Sequence, residues 1–247
     1  SSDLLEELGN PQKELTFIHI AGTNGKGSIL AYLSTILTEA GYRTGRYISP
    51  TVIGYLERFQ IDGAFMEEEE LARLTCHVKA AAERLVEKGK PSPTVFEIET
   101  AIAFLYFKES GCDFVVLESG LGGLMDATNV IGNPKLCVFA SVSMDHIGVL
   151  GNTLEEIARD KAGIIKKGAE VVTGRQAACV KSVLEETSCV KGCRITEADL
   201  EKLEVVRQAL ETQVFTYGEF EEMDIRLAGQ HQIENAVTVL EAVRALR

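Results

Sequence analysis

The sequence predicts an α/β domain built on a mostly parallel sheet flanked by helices, and three observations carry that expectation. Two continuous apolar runs, Phe114-Val115-Val116-Leu117 and Cys137-Val138-Phe139-Ala140, have the character of strands covered on both faces, the usual position of parallel strands. An apolar run from Leu15 to Ile20 leads through Gly22-Thr23-Asn24-Gly25-Lys26-Gly27-Ser28 into a helical pattern, which makes a strand, loop and helix unit. Strand and helix signals then alternate along most of the chain, the order that specifies helices packed on a parallel sheet.

The first long helix is read from Ile29, Leu30, Leu33, Ile36, Leu37 and Ala40 at helical spacing, with Gly41 at its C-cap. A short strand toward Ile48 follows, then an irregular stretch through Glu57-Arg58-Phe59. A long amphipathic helix runs from about Glu68 to Lys88, and its acidic first turn suits the positive end of the helix dipole. Lys90-Pro91-Ser92-Pro93 breaks the pattern. Phe96 to Phe107 is apolar on most sides, as a buried helix requires, with Glu97 and Glu99 in its first turn. After the two apolar strands, a capping box at Thr153 and Glu156 starts another helix. A strand at Ala169 to Thr173 and a helix around Val180 to Glu186 continue the alternation. Near residue 210 the style changes. Val214, Phe215 and Tyr217, then Met223, Ile225 and Leu227 after Gly218-Glu219, predict a small antiparallel β element within 210–228. A last helix carries Ile233, Ala236, Val237, Leu240, Val243 and Leu246 on one face.

Composition narrows the function. With 25 basic against 37 acidic residues and a formal net charge of −12, the surface as a whole repels polyanions, which argues against nucleic-acid binding. A phosphate-bearing ligand must then be held by local devices, namely loop amides, Lys26 and a divalent cation, so magnesium is an expected partner. The six cysteines show no C-x-x-C pairing, and Cys189 and Cys193 have no histidine nearby, so a zinc site is the weaker reading and a reduced, cytoplasmic setting the stronger. No apolar run approaches the eighteen or so residues that span a bilayer, and no signal-peptide pattern opens the chain, so no membrane partner is expected.

The glycine-rich loop reads as a phosphate cradle. Glycines let backbone N–H groups approach an anion, the following helix aims its positive end there, and Lys26 supplies a cation. Its register differs from the common G-x-x-x-x-G-K-[ST] loop, because the first glycine stands three residues before Gly25 and Gly27 separates Lys26 from Ser28. The plain alternative is a glycine turn with a solvated lysine.

Ligands of open α/β sheets bind outside the carboxyl ends of the strands. Three polar groups fall at such positions: Ser49 after the second strand, Glu118 at the end of the Phe114 run, and His146 after the Cys137 run. Together they suit one or two magnesium ions, although each alone has a structural alternative as a cap, a turn or a hydrogen-bonded core histidine. Lys161 is the least expected residue. It falls on the helix face that carries Leu154, Ile157, Ala158 and Ile165, where periodicity calls for an apolar side chain. Pointing inward it must be paired, neutralised or chemically altered; otherwise it must snorkel to the surface.

HIAGTNGKGS, YISP followed by YLERFQIDG, TVFEIETA, LESGLGGLMDATN, SMDHIGVLG, ARDKAGIIKKG and HQIENA occur in the order found in folylpolyglutamate synthases and dihydrofolate synthases. The chain resembles that branch of the Mur ligase superfamily from Phe17 to Ala236. The resemblance implies a Mur-type phosphate loop in which Thr23, Asn24, Gly25, Lys26, Gly27 and Ser28 hold ATP, with Asn235 on the adenine. It implies one magnesium on Ser49 and Glu118, a second on His146, and a carbamate on Lys161. Lys26, His146 and Lys161 are thereby the catalytic candidates. Thr94, Val95, Phe96 and Glu97, with Met125, Asp126 and Ala127, match segments that contact the pterin-bearing substrate.

The implied reaction is ATP-dependent addition of L-glutamate to a folate, or to dihydropteroate, through an acyl phosphate. The implied enzyme is a monomer. Thr51 stands where a histidine is common after Ser-Pro, and Leu124 where an arginine is common in the GLGG segment, which bears on substrate preference. Residues 1–229 are expected to form the ATP-binding domain. Residues 230–247 are expected to form a helix leading to a C-terminal Rossmann-like domain, so that this chain alone has little ligase activity. A cell-wall Mur ligase and a non-catalytic ATP-binding module remain as alternatives.

Overall fold

The computed structural model describes residues 2–146 and 148–247, so Ser1 and Ile147 of the SMDHIGVLG motif lie outside the described residues. A short helix, α1 (Ser2–Glu7), leads by a 3-10 turn (Pro11–Glu14) into β1 (Phe17–Ala21). The helix α2 (Lys26–Glu39) starts directly after the glycine-rich loop, and Gly41 takes a φ of 90° just past its end, as expected of a C-terminal glycine. Then follow β2 (Thr44–Tyr47), β3 (Phe59–Ile61), β4 (Ala64–Phe65), α3 (Glu68–Glu87), α4 (Val95–Glu109) and β5 (Phe114–Glu118). The strands β6 (Leu136–Phe139), β7 (Glu170–Thr173) and β8 (Ile195–Glu197) alternate with α5 (Leu154–Ala162) and α6 (Ala178–Lys191). A second sheet comes from β9 (Leu203–Gln208), β10 (Gln213–Tyr217) and β11 (Phe220–Ile225), before α7 (Gln230–Leu246).

The described residues form an eight-stranded sheet in the order β4-β3-β2-β5-β1-β6-β7-β8. All its pairings from β2 to β8 are parallel, and β3 and β4 add an antiparallel edge. The mostly parallel α/β class read from the apolar runs is therefore observed, and so is the small antiparallel sheet. On one face of the large sheet, Phe17, Tyr47, Val115 and Leu117 meet α3 and α4, while Cys137, Phe139 and Val171 meet α5 and α6. The opposite face, with Ile18, Ile20, Val116 and Val138, is covered by α2 and by Val239 and Ala242 of α7. The chain moves from β1 to β2 on one side and later to β6, β7 and β8 on the other, so the direction of winding reverses around β5, β1 and β6. A crevice opens at such a reversal, outside the strand ends.

Two local features differ from the sequence reading. The stretch around Glu57 is ordered as a 3-10 turn (Tyr55–Arg58) running straight into the edge hairpin β3–β4, whose tight turn at Asp62-Gly63 uses positive φ at both residues. The small sheet has three strands because β9 pairs with β10, although Val205 and Val206 of β9 are exposed and give no clean alternation. The last helix is packed into this body: Ile233, Ala236, Val237 and Leu240 bury against Phe215 and Tyr217 of the small sheet, and its next turns bury against α2.

Candidate active site

The glycine-rich loop bridges the end of β1 and the start of α2 at the crevice. Thr23 N and Asn24 N donate to Ser141 O at 2.8 and 3.2 Å, and Thr23 Oγ1 donates to Ser143 O at 3.1 Å, so the loop is tied to the segment leaving β6. Gln176 holds that segment from the other side, accepting from Val142 N and donating to Ala140 O. Gly25 is the N-cap of α2, with φ 92° and no side-chain cap. First-turn amides of a helix have no intrahelical acceptor, and here no side chain caps them, which leaves Lys26, Gly27 and Ser28 N–H groups for an anion. A side chain at position 25 is excluded twice, by the positive φ and by Asn235 Oδ1, which would lie 2.6 Å from an added Cβ. Asn235 thus sits against the loop.

Two lysines converge on one carbonyl. Lys161, only 2 % exposed, donates from Nζ to Gly22 O at 3.0 Å, and Lys26 Nζ donates to the same oxygen at 3.2 Å. Burial, with the repulsion of Lys26 second, lowers Lys161 to about 8. The inward reading of Lys161 is the observed one. Glu118, at the end of β5, lies 3.8 Å from Lys26 Nζ and is itself buried. Desolvation raises its carboxyl to about 7, against the pull of Lys26, a hydrogen bond from the Ser49 backbone and the charge of Arg46. Ser49, Glu118, Lys26 and Lys161 are thus joined through direct contacts or a shared acceptor. His146 is more peripheral: its side chain is 53 % exposed, sits at φ 47° and lies 3.4 Å from Asp145 Oδ1.

Among the described residues no three His, Cys, Asp or Glu side chains gather as a metal cluster. A cation here would rest on one carboxylate, the Ser49 hydroxyl and the phosphate oxygens of a nucleotide. That hard-oxygen set fits magnesium, which keeps few protein ligands, and the desolvated Glu118, only partly offset by Lys26, would gain from a divalent cation.

On the α7 side of the loop opens a cavity of about 540 Å³, lined by Asn24, Ser28, Arg175, His231, Asn235 and Thr238 among others. Its size suits a nucleoside. His231 stands in the HQIENA motif, whereas Arg175 and Gln176 follow β7 with no motif around them and are not legible as site residues. Their position one step past a parallel strand was the available signal.

On the other side stand α4 and the turn after β5. Thr94 and Glu97 form a capping box, with Glu97 Oε2 accepting from Thr94 N at 2.7 Å, so these two side chains engage each other. Val95 is 72 % exposed, and Phe96 packs under Gly120. Asp126 is buried: Oδ2 accepts from Leu121 N at 2.7 Å and Oδ1 from Thr128 N at 2.9 Å. It braces the turn, Ala127 begins the next 3-10 turn, and Met125 at the tip is 88 % exposed. Beneath lies His19, wholly buried on β1, its Nε2 2.9 Å from Thr128 Oγ1 and its ring held neutral by burial, at about 3.

A glycine loop feeding an uncapped helix, with two lysines and a buried carboxylate at parallel strand ends, defines a phosphate-binding α/β domain. Residues 20–243 match the family model of the Mur ligase middle domain, and the chain belongs to that family. It is 47% identical over 171 residues to the dihydrofolate synthase/folylpolyglutamate synthase of Bacillus subtilis, covering 69% of this chain and 40% of that one. It is 35% identical to the folylpolyglutamate synthase of Lacticaseibacillus casei, over 98% of this chain and 58% of that one. Among solved structures, an FPGS-AMPPCP-folate complex superposes with a TM-score of 0.92 at 34% identity, covering 98% of this chain and 60% of that one. The folylpolyglutamate synthase of Thermotoga maritima gives 0.92 at 37% identity, covering 99% and 57%. The chain spans about half the length of the curated relatives it matches. Among the described residues no helix is long and apolar enough to cross a membrane.

Proposed function

We propose that this chain is the ATP-handling part of a ligase that joins L-glutamate to the carboxylate of a folate, and that dihydropteroate is a second acid to be tested. The observation that carries the reading is the convergence of Lys26 and Lys161 on Gly22 O beside Glu118, at the reversal point of the sheet. The names of the relatives, and the AMPPCP and folate in a neighbouring structure's description, support the choice of ATP and of the acid.

ATP phosphates would lie on the Thr23 to Ser28 loop, with the nucleoside in the Asn235 cavity. Lys26 would turn from Gly22 O to the β- and γ-phosphates, which moves its charge away from Lys161. Magnesium, held by Glu118 and Ser49 with a second ion toward His146, would neutralise charge on the transferring phosphoryl group. The deprotonated fraction of Lys161 can add to CO2, giving a carbamate and a proton; this puts an anion, beside the magnesium site, where a buried amine stood. A substrate carboxylate held between Val95 and the Gly120–Asp126 turn would attack the γ-phosphorus and release ADP. The glutamate amine would then displace phosphate from the acyl carbon and lose a proton. Positioning and charge neutralisation carry most of the catalysis.

We assign residues 1–247 to the first part of a longer, cytoplasmic, monomeric enzyme, with little ligase activity in this part alone. The test is ATP-dependent incorporation of labelled glutamate by the full-length protein, offered tetrahydrofolate, dihydropteroate and a UDP-muramoyl acid in parallel. Incorporation with the UDP-muramoyl acid alone would overturn the folate reading, and full turnover by the 247-residue chain would overturn the division of labour.

A further inference from the structure

The turn from Gly120 to Asp126 is fastened to the helix that carries Lys161. Asp160 makes two of the links: its Oδ2 accepts from Gly123 N at 2.9 Å and its backbone oxygen accepts from Leu124 N at 2.9 Å. Asn129 makes two more, its Nδ2 donating to Leu124 O at 3.0 Å and to Gly163 O at 3.2 Å. The two segments approach so closely that an added Cβ on Gly123 would lie 2.7 Å from Lys161 O. At Gly122, with φ 69°, it would lie 2.0 Å from Asp160 Oδ2. Desolvation raises the Asp160 carboxyl, and the hydrogen bond from Gly123 works against that rise.

The outward face of this turn is different. Leu121, Leu124 and Met125 are exposed, while Gly122 and Gly123 are buried against α5 and Asp126 is buried within the turn. One short segment therefore presents apolar tips to a ligand and rests its backbone on the residue next to Lys161. Lys161 in turn reaches across to Gly22 O of the phosphate loop.

From this geometry we propose that Asp160 is a positioning residue: its carboxylate fixes the Gly120–Asp126 turn relative to Lys161 and so sets the distance from the acid substrate to the phosphate loop. The substrate assignment rests on the function proposed above, whereas the mechanical link does not. Removing the carboxylate cuts the Gly123 link while those at Leu124 remain, so the turn loosens at Gly122–Gly123 and the bound acid is misplaced. A misplacement of about 1 Å costs on the order of a hundredfold in a reaction that depends on alignment. Asparagine at 160 keeps a carbonyl acceptor for Gly123 N, so it should retain the turn.

The experiment compares wild type, Asp160→Ala and Asp160→Asn in the full-length protein, with two readouts. Amide hydrogen exchange over residues 120–126 should speed up by about tenfold or more in the alanine variant, the loss of one hydrogen bond to a charged acceptor, and stay near wild type in the asparagine variant. In steady-state kinetics kcat/KM for the acid substrate should fall on the order of a hundredfold in Asp160→Ala, with the KM for ATP changed less than twofold, and Asp160→Asn should restore it. Unchanged exchange in Asp160→Ala overturns the proposal, whatever the activity. A comparable rise in the KM for ATP overturns it too, because a general loss of structure would do that. If wild type ligates only a cell-wall acid, the folate reading falls, and the same split measured with that acid still decides the role of Asp160.

Discussion

Replacing Lys161 with methionine tests the central feature of the site, a buried cation with no carboxylate of its own. Lys161 titrates at about 8 instead of 10.5, a difference worth about 3 kcal/mol at roughly 1.4 kcal/mol per pH unit. The sign follows from proton counts. Below about pH 8 both folded and unfolded chains hold the proton, and the folded state bears the full penalty of a buried charge. Between about 8 and 10.5 the unfolded chain binds the proton that the folded chain has released, so this group makes stability rise with pH; above 10.5 the penalty is gone. Methionine has similar length and no charge, so it removes the penalty and forfeits only the hydrogen bond to Gly22 O, about 1–2 kcal/mol. Lys161→Met should therefore be more stable than wild type by about 1–2 kcal/mol at pH 7, and the gap should move toward wild type by about 2.5 kcal/mol on going to pH 10. The assay is urea unfolding of the 247-residue chain in CO2-free buffer at both pH values, with m unchanged. A difference that does not depend on pH would refute the reasoning, because the residue would then not be a desolvated amine.

Gly25→Ala should weaken nucleotide binding at least about tenfold in calorimetry, since a left-handed alanine costs about 1–2 kcal/mol and its Cβ collides with Asn235. Adding Asn235→Ala should cost less than the sum of the single changes, because it removes the collision. Arg58→Ala should destabilise the chain by about 3–5 kcal/mol in urea, because it strands Glu99, which is 5 % exposed and pairs with Arg58. The paired change Arg58→Met with Glu99→Leu should recover most of that loss. Tyr217→Phe should cost about 1–2 kcal/mol, since the hydroxyl donates to Glu241 at 2.8 Å and accepts from Asp199 N at 3.1 Å.

The parts of the fold that were legible in the sequence are those where one pattern dominated. β5 and β6 are apolar on both faces because helices cover both, and α2 shows a clean period because only one face meets the sheet. The edge hairpin β3–β4 left a weak trace. Its residues are few, and its register depends on a turn at Asp62-Gly63 rather than on alternation. Strand β9 failed for a related reason: Val205 and Val206 are adjacent and both exposed, so its pairing with β10 is set by backbone hydrogen bonds that no side-chain period records. Helix α7 was read correctly as amphipathic. It has two contact faces, Ile233, Ala236, Val237 and Leu240 on the small sheet and Val239 and Ala242 on α2, and an apolar pattern alone does not say that they meet different partners.

The site shows the same division between local and relational information. Lys161 is visible because one charged residue breaks a local apolar stripe, of which Leu154, Ile157 and Ala158 lie in α5 and Ile165 just past its end. Its partner was not visible, because Gly22 O is a backbone atom 139 residues away and carries no side-chain signature. Glu118 and Ser49 were found by position at strand ends, yet the raised carboxyl of Glu118 arises from burial that only packing creates. Glu97 and Asp126 show how a local role adds to what a motif implies. Both lie in segments that match a substrate contact, but their side chains are engaged with their own backbone, Glu97 closing a capping box and Asp126 bracing the turn at Leu121. The motif marks the two segments without saying which side chains in them are engaged locally. Burial separates them: Val95 and Met125 are exposed, whereas Asp126 is buried against its own turn.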